Sequence, residues 1–378
     1  MTDSAPKKTD WRVVALLLVV GIFAAWQFAK IALPLLDLAQ FYQRDPKSLA
    51  FLVSVVGLVG ATFGVVAGNV VAGIGAKRAL VFGLMGGAVV SGAQAFLPSL
   101  PIMMGLRVLE GFSHLTIVVA APTMMAASAS DKDRPIAMGI WAMFFGIAFA
   151  IGSKLFPYLT GAWGLSGLFV LHGAGLAVLA AILFPILPNV AANPTRINLF
   201  RIHFETYRSV RLSLPGLGFV FYTATYLALL TYLPNAVARP EFAVTLPIIS
   251  LFGTFIAGYL AKSFAPPMIA IISFLLTCFF AVLLWFGQIW AAYFVFFVQG
   301  AVPGASFAAI PFLNHSDEDR AKATGAIAQM GNIGTTFGPP LFALALGLAG
   351  LGGFFGLLIV LSLLGALVLG ALWKNIHR

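Results

Sequence analysis

Arg107, Glu110 and His114 follow one another at spacings of three and four inside one apolar stretch, which on a helix puts all three on one face. A guanidinium beside a carboxylate favours its charged form, whereas burial favours the neutral acid. A carboxyl group held between those effects can exchange a proton when a ligand or an opening cavity changes its surroundings. Glu110 and His114 are therefore candidates for proton coupling. The plainer reading is a permanent Arg107–Glu110 pair that fastens one helix to its neighbours, with His114 packed beside it.

Lys30 and Lys154 occupy other apolar stretches at a comparable depth, judged from ~1.5 Å of rise per residue. An ionisable group in such a stretch costs about 2.5–3.5 kcal/mol on insertion scales, so each needs a reason. Arg107 can give a carboxylate two parallel hydrogen bonds, and Lys30 and Lys154 can add neutralising charge. Lysines near helix ends also snorkel towards water, which is the competing reading. Asp37, seven residues after Lys30 with Pro34 between them, is either a gate partner or an interfacial carboxylate in water. His172 reads as a core histidine. The second half of the chain offers polarity without intramembrane charge: Tyr222 and Tyr226 at i, i+4, then Gln299, Gln329 and Asn332. A cationic first half facing an aromatic and amide second half suits a small organic anion with an apolar or planar body. Such aromatics also serve as packing or lipid-facing groups.

The elements that must position these residues are membrane spans. Of the 378 residues, 61% are hydrophobic and only 9% charged, against roughly 25% charged in a soluble domain. Apolar segments fall at about 12–38, 48–73, 79–97, 101–127, 135–159, 166–187, 213–236, 243–262, 266–286, 289–312, 323–348 and 351–373. The first follows a polar start and is too long for a signal-peptide core of ~7–15 residues, so it is expected to stay in the protein as a first span. Cations gather in alternate connections and at both ends: Lys7, Lys8 and Arg12; Lys77 and Arg78; Lys132 and Arg134; Arg196, Arg201, Arg208 and Arg211; Lys262; Arg320 and Lys322; Lys374 and Arg378. The other side holds Arg44, Lys47 and Arg239. This asymmetry places both termini in the cytoplasm and accounts for the net charge of +10 without a nucleic-acid partner.

The connection from Asn189 to Arg211 divides six segments from six and reads as a basic linker, in part an amphipathic helix. The halves repeat: Ser130-Asp131-Lys132-Asp133-Arg134 returns 186 residues later as Ser316-Asp317-Glu318-Asp319-Arg320. Asp131, Arg134, Asp317 and Arg320 are candidate gating latches, with arginines able to pair with the opposite half. Cys278 is the single cysteine, and no phosphate loop, paired-cysteine site or His-Glu-x-x-His occurs. An enzyme, an ATPase and a bound cofactor or metal have no support. The pairs Met103-Met104 and Met124-Met125 do not set two thioethers on one helix face and read as gap-fillers.

Arg107-Val108-Leu109-Glu110-Gly111 resembles the helix-4 signature of the major facilitator superfamily, with Glu110 where a glutamine is usual. The loop-2–3 signature is present only from Gly68 to Arg78, with Ala72 replacing its aspartate. Gly338-Pro339-Pro340 is similar to the exporter Gly-Pro element, but in helix 11; the matching place in helix 5 reads Gly152-Ser153-Lys154, so the drug-antiporter signature is missing where it belongs. The loop-poor layout is similar to cyanate-permease-like members. The resemblance implies an all-α membrane protein of twelve transmembrane helices in two pseudo-symmetric six-helix bundles, residues 1–188 and 213–378, joined by a linker at 189–212. It further implies that helices 1, 4 and 5 line a central cavity. The substrate-binding set is then Arg107, Lys30, Lys154, Tyr222, Tyr226, Gln299, Gln329 and Asn332. The function expected is proton-coupled uptake of a small organic anion by alternating access in a bacterial inner membrane, the protein acting as a monomer in the lipid bilayer. The alternatives are an exporter or facilitator of a neutral aromatic solute such as a vitamin or drug, and a non-transporting assembly factor that uses the same fold.

Overall fold

The computed structural model describes residues 8–44, 49, 51–189, 192 and 199–376, and all regular structure among them is helical. In chain order the helices are α1 Trp11–Ala32, α2 Leu35–Tyr42, α3 Phe51–Ile74, α4 Ala76–Gln94, α5 Leu100–Ser128, α6 Arg134–Ala142, α7 Phe144–Ile186, α8 Leu199–Arg208, α9 Val210–Ala236, α10 Phe242–Leu260, α11 Pro266–Trp285, α12 Ala291–Leu313 and α13 Asp317–Ile376. Lys7, Lys47, Arg196 and Arg378, used above for orientation, lie outside the described residues, as does linker segment 193–198.

Helix boundaries follow local chemistry. The Asp10 carboxylate accepts from the backbone N–H groups of Arg12 and Val13 and starts α1. Pro34 cannot continue the ladder, so α1 stops and the short α2 begins beyond it. Two long helices each break at a glycine with positive φ, Gly164 (φ 66°) in α7 and Gly350 (φ 58°) in α13. Only glycine enters that backbone region freely. With α6 continuing into the first arm of α7, these breaks resolve the chain into twelve membrane-crossing helices; α2 and α8 are short additions. Large apolar side chains such as Phe82, Val89, Phe184 and Leu367 face outward, as lipid requires.

The two halves meet along two related seams, α3 against α13 and α6 against α10. Both are close backbone contacts between small residues, the usual way helices approach in lipid. A Cβ on Gly68 would lie 2.7 Å from the Ala321 carbonyl, and one on Gly139 would lie 2.8 Å from Gly258 Cα. These seams sit towards the end of the molecule that carries Asp10 and the start of α13, here the termini end. Helix α8 straps the α3–α13 seam: Ile202 packs with Val65 and Ala326, and the Tyr207 hydroxyl donates to Gln329 Oε1 at 2.7 Å.

The repeated loops are alike in detail. Ser130 Oγ donates to Asp133 Oδ2 at 3.1 Å, as Ser316 Oγ does to Asp319 Oδ2 at 2.8 Å. Arg134 pairs with Asp131 and Arg320 with Asp317, both at 2.7 Å. Each arginine thus pairs inside its own loop rather than with the opposite half. The Thr9 hydroxyl donates to Asp133 at 2.7 Å, and this bond holds the Asp133 carboxyl below its usual range.

A cavity between the halves and a charge cluster behind its wall

A cavity of about 510 Å³ lies between the two halves. From the first half it is lined by Phe28, His114, Trp141, Phe144, Phe145 and Phe149; from the second by Phe219, Tyr222, Tyr226, Ser250, Thr254, Phe307 and Asn332. Trp141 and Phe144 stack at 4.7 Å, Trp141 meets Phe307 edge-on at 6.4 Å, and Phe307 meets Phe219 at 5.6 Å. These rings form a floor that spans the two halves. Away from it the cavity reaches Ala32, Val53, Tyr232 and Pro340, near the end opposite the termini.

The polar groups of the wall are hydroxyls, an amide and ring nitrogens; no Asp, Glu, Lys or Arg lines the cavity among the described residues. The Tyr226 hydroxyl bonds Ser250 Oγ at 2.7 Å, and the Tyr222 and Tyr226 rings lie tilted against each other at 5.1 Å. Asn332 donates to Ala328 at 2.7 Å and lies against Gly57 and Gly60 of the opposite half. His114 Nδ1 sits 3.0 Å from the Ala24 carbonyl, and Phe28 packs edge-on to the imidazole at 4.8 Å.

Behind this wall, wholly inside the first half, is a dry charge cluster. Lys30, Arg107 and Glu110 are each 0% exposed. Lys30 Nζ reaches Glu110 Oε1 at 2.6 Å, Ser91 Oγ at 2.7 Å and His172 Nδ1 at 3.3 Å. His172 Nε2 faces the Phe23 carbonyl at 3.0 Å, so that nitrogen holds the hydrogen and Nδ1 accepts. Lys30 Nζ thus has three polar neighbours, each from a different helix. Arg107 pairs with Glu110 and donates to the Leu52 and Gln27 carbonyls at 2.8 and 2.7 Å. Gln94 gives Glu110 a further hydrogen bond at 2.7 Å. The cluster joins α1, α3, α4, α5 and the second arm of α7.

The expected site residues thus separate. Lys30, Arg107 and Glu110 meet one another, but none lines the cavity. Lys154 is exposed on the outer surface beside Ile151 and Tyr158, and Asp37 is exposed on α2. Gln299 is buried and donates to Thr225 at 2.6 Å, inside the second half. Gln329 donates to the Ala61 carbonyl at 2.8 Å and belongs to the seam. His114, Tyr222, Tyr226 and Asn332 do line the cavity. Sequence reasoning missed Gln27, Ser91 and Gln94. Their one-turn spacings, Gln27 to Lys30 and Ser91 to Gln94, were the available signal. It also missed the aromatic wall of α6 and α7.

The Major Facilitator Superfamily model matches residues 15–242. Over 153 residues the chain is 30% identical to the multidrug efflux pump LfrA of Mycolicibacterium smegmatis, a match covering 40% of this chain and 30% of that protein. Among solved structures, the human organic anion transporter MFSD10 superposes with a TM-score of 0.77 at 16% identity, covering 95% of this chain and 99% of that one. The Escherichia coli fucose:proton symporter FucP gives 0.73 at 13%, covering 94% and 97%. With more than half of its length matched by the family model and the fold shared with both solved structures, this multi-pass membrane chain belongs to the Major Facilitator Superfamily.

Proposed function

We propose that the protein carries a small organic solute with an aromatic body, in neutral or weakly acidic form, by rocking its two halves about the cavity. The carrying observation is the wall itself: a space of about 510 Å³ faced with aromatic rings from both halves and no fixed charge among the described residues. Rings on opposite sides suit a flat solute, which stacks favourably at ring separations of about 4.5–7 Å. A cation finds no carboxylate there, and the cluster behind the wall holds two cations against one anion. That excess positive charge supports the organic-anion reading as a second possibility, acting through field rather than contact.

Protons are the proposed coupling ion. His114 in the wall is the proposed carrier of that proton, since no carboxylate lines the cavity among the described residues. If the termini are cytoplasmic, the cavity extends towards the outside, where an importer loads and an exporter releases. The test is reconstitution in liposomes with labelled aromatic alcohols, amides and carboxylates. Counterflow of the neutral aromatics, with accumulation under a pH gradient that a protonophore abolishes, is the expected result. Preference for carboxylates would install the anion reading, and accumulation insensitive to the pH gradient would remove the proton.

A further inference from the structure

The two nitrogens of His114 have different surroundings. Nδ1 lies 3.0 Å from the Ala24 carbonyl oxygen, which can only accept, so Nδ1 bears the hydrogen of that bond. In the neutral ring Nε2 is then a lone-pair acceptor. No hydrogen-bond partner meets Nε2 among the described residues, although the residue is 5% exposed and lies in the cavity wall. The ring cannot readily turn away. Its Nδ1 bond ties it to α1, and Phe28 presses edge-on against it at 4.8 Å.

The other polar groups of the wall are mostly occupied internally. Tyr226 and Ser250 bond each other at 2.7 Å, Thr254 donates to the Gly300 carbonyl at 2.7 Å, and Thr223 returns to its own helix at 3.1 Å. On the first-half side of the cavity, His114 Nε2 is therefore an open acceptor, beside Phe28.

We infer that His114 Nε2 is the specificity-determining acceptor of the cavity, and that the solute class is an aromatic molecule bearing an O–H or N–H donor, such as a phenol or an indole. This rests on the cavity being the solute site. A site that holds out an acceptor in a largely aromatic wall discriminates against a ligand lacking the donor, because binding such a ligand leaves the acceptor buried and unpartnered.

A matched pair of probes tests this without presupposing the natural solute: 2-naphthol, which has the donor, and 2-methoxynaphthalene, which keeps the rings and lacks it. Binding to purified full-length protein in detergent is measured by calorimetry, with thermal unfolding as a check on folding. Wild type should bind 2-naphthol about tenfold or more tighter. His114→Phe should lose that preference while binding 2-methoxynaphthalene within about threefold of wild type, and His114→Gln, which restores an acceptor, should recover part of it. The wild-type comparison stands even if a variant fails to fold. Equal binding of both probes by wild type, or a preference that survives in His114→Phe, overturns the inference and leaves the transport reading intact. Binding of neither probe, together with no counterflow of any aromatic solute, removes the cavity reading and this inference with it.

Discussion

Glu110 answers two buried cations at once, and this sets how substitutions around it should rank. Removing one partner of a buried pair leaves an uncompensated charge and costs about 3–5 kcal/mol. Glu110→Gln strands both Lys30 and Arg107, so it should lie at or above the top of that range. Lys30→Met removes the surplus cation and leaves Arg107 paired with Glu110, so it should cost clearly less. Lys154→Gln, on an exposed side chain, should stay within about 0.5 kcal/mol. Thermal unfolding of the three variants in one detergent gives the order; Lys30→Met costing as much as Glu110→Gln would contradict the charge count. Burial behind the wall explains why the cluster holds helices together rather than clamping a solute: none of its three charged groups lines the cavity. The presence of Lys30, Arg107 and Glu110 was legible in the sequence because charges in apolar stretches stand out. Their meeting was not, since it depends on how separate helices pack and on Ser91, Gln94 and His172 arriving from other helices.

Among the helices, the seams at the termini end depend on residues with no side chain. A methyl group on Gly68 would press on the Ala321 carbonyl, and one on Gly139 on the backbone of Gly258. Backbone cannot swing aside as a flexible side chain can, so Gly68→Ala and Gly139→Val should wedge the seams and favour the state open at the termini end. Gly86 has nothing within 4 Å of the corresponding position, so Gly86→Ala is the matched control. A cysteine at Thr324, in a Cys278→Ala background, lines the cavity near its floor and reports the change by maleimide reactivity. It should react several-fold faster in the two seam variants and unchanged in the control; equal rates in all would show that the seams do not gate access. The Ser-x-x-Asp loops illustrate what repeats reveal. Their internal hydrogen bonds follow from local spacing, whereas their pairing within one loop rather than across the seam depends on how the halves are set.

Over the whole molecule, the cations identify one end. If positive charge keeps that end in the cytoplasm, a cysteine replacing exposed Arg78 should be shielded from an impermeant maleimide in right-side-out vesicles. One replacing exposed Gln288, beyond the far end of α11, should be labelled. The reverse pattern would invert the orientation and, with it, the side to which the cavity extends.

The number, order and approximate limits of the helices, the twofold repeat and the asymmetry of charge were set by the sequence alone. A chain in lipid must satisfy its backbone within each helix, so every span needs its own apolar run and a turn signal at each end. Hydropathy reads those runs directly. The rotation of each helix is a different matter. A span apolar on all sides carries little amphipathic phase, so nothing local says that Lys30 turns inward to Glu110 while Lys154 turns outward. Tertiary packing made that choice by setting one ammonium among three polar neighbours inside the protein and leaving the other at the surface. It likewise assembled the cavity wall from rings on α1, α6, α7, α9 and α12, and left His114 with one nitrogen bound and the other open.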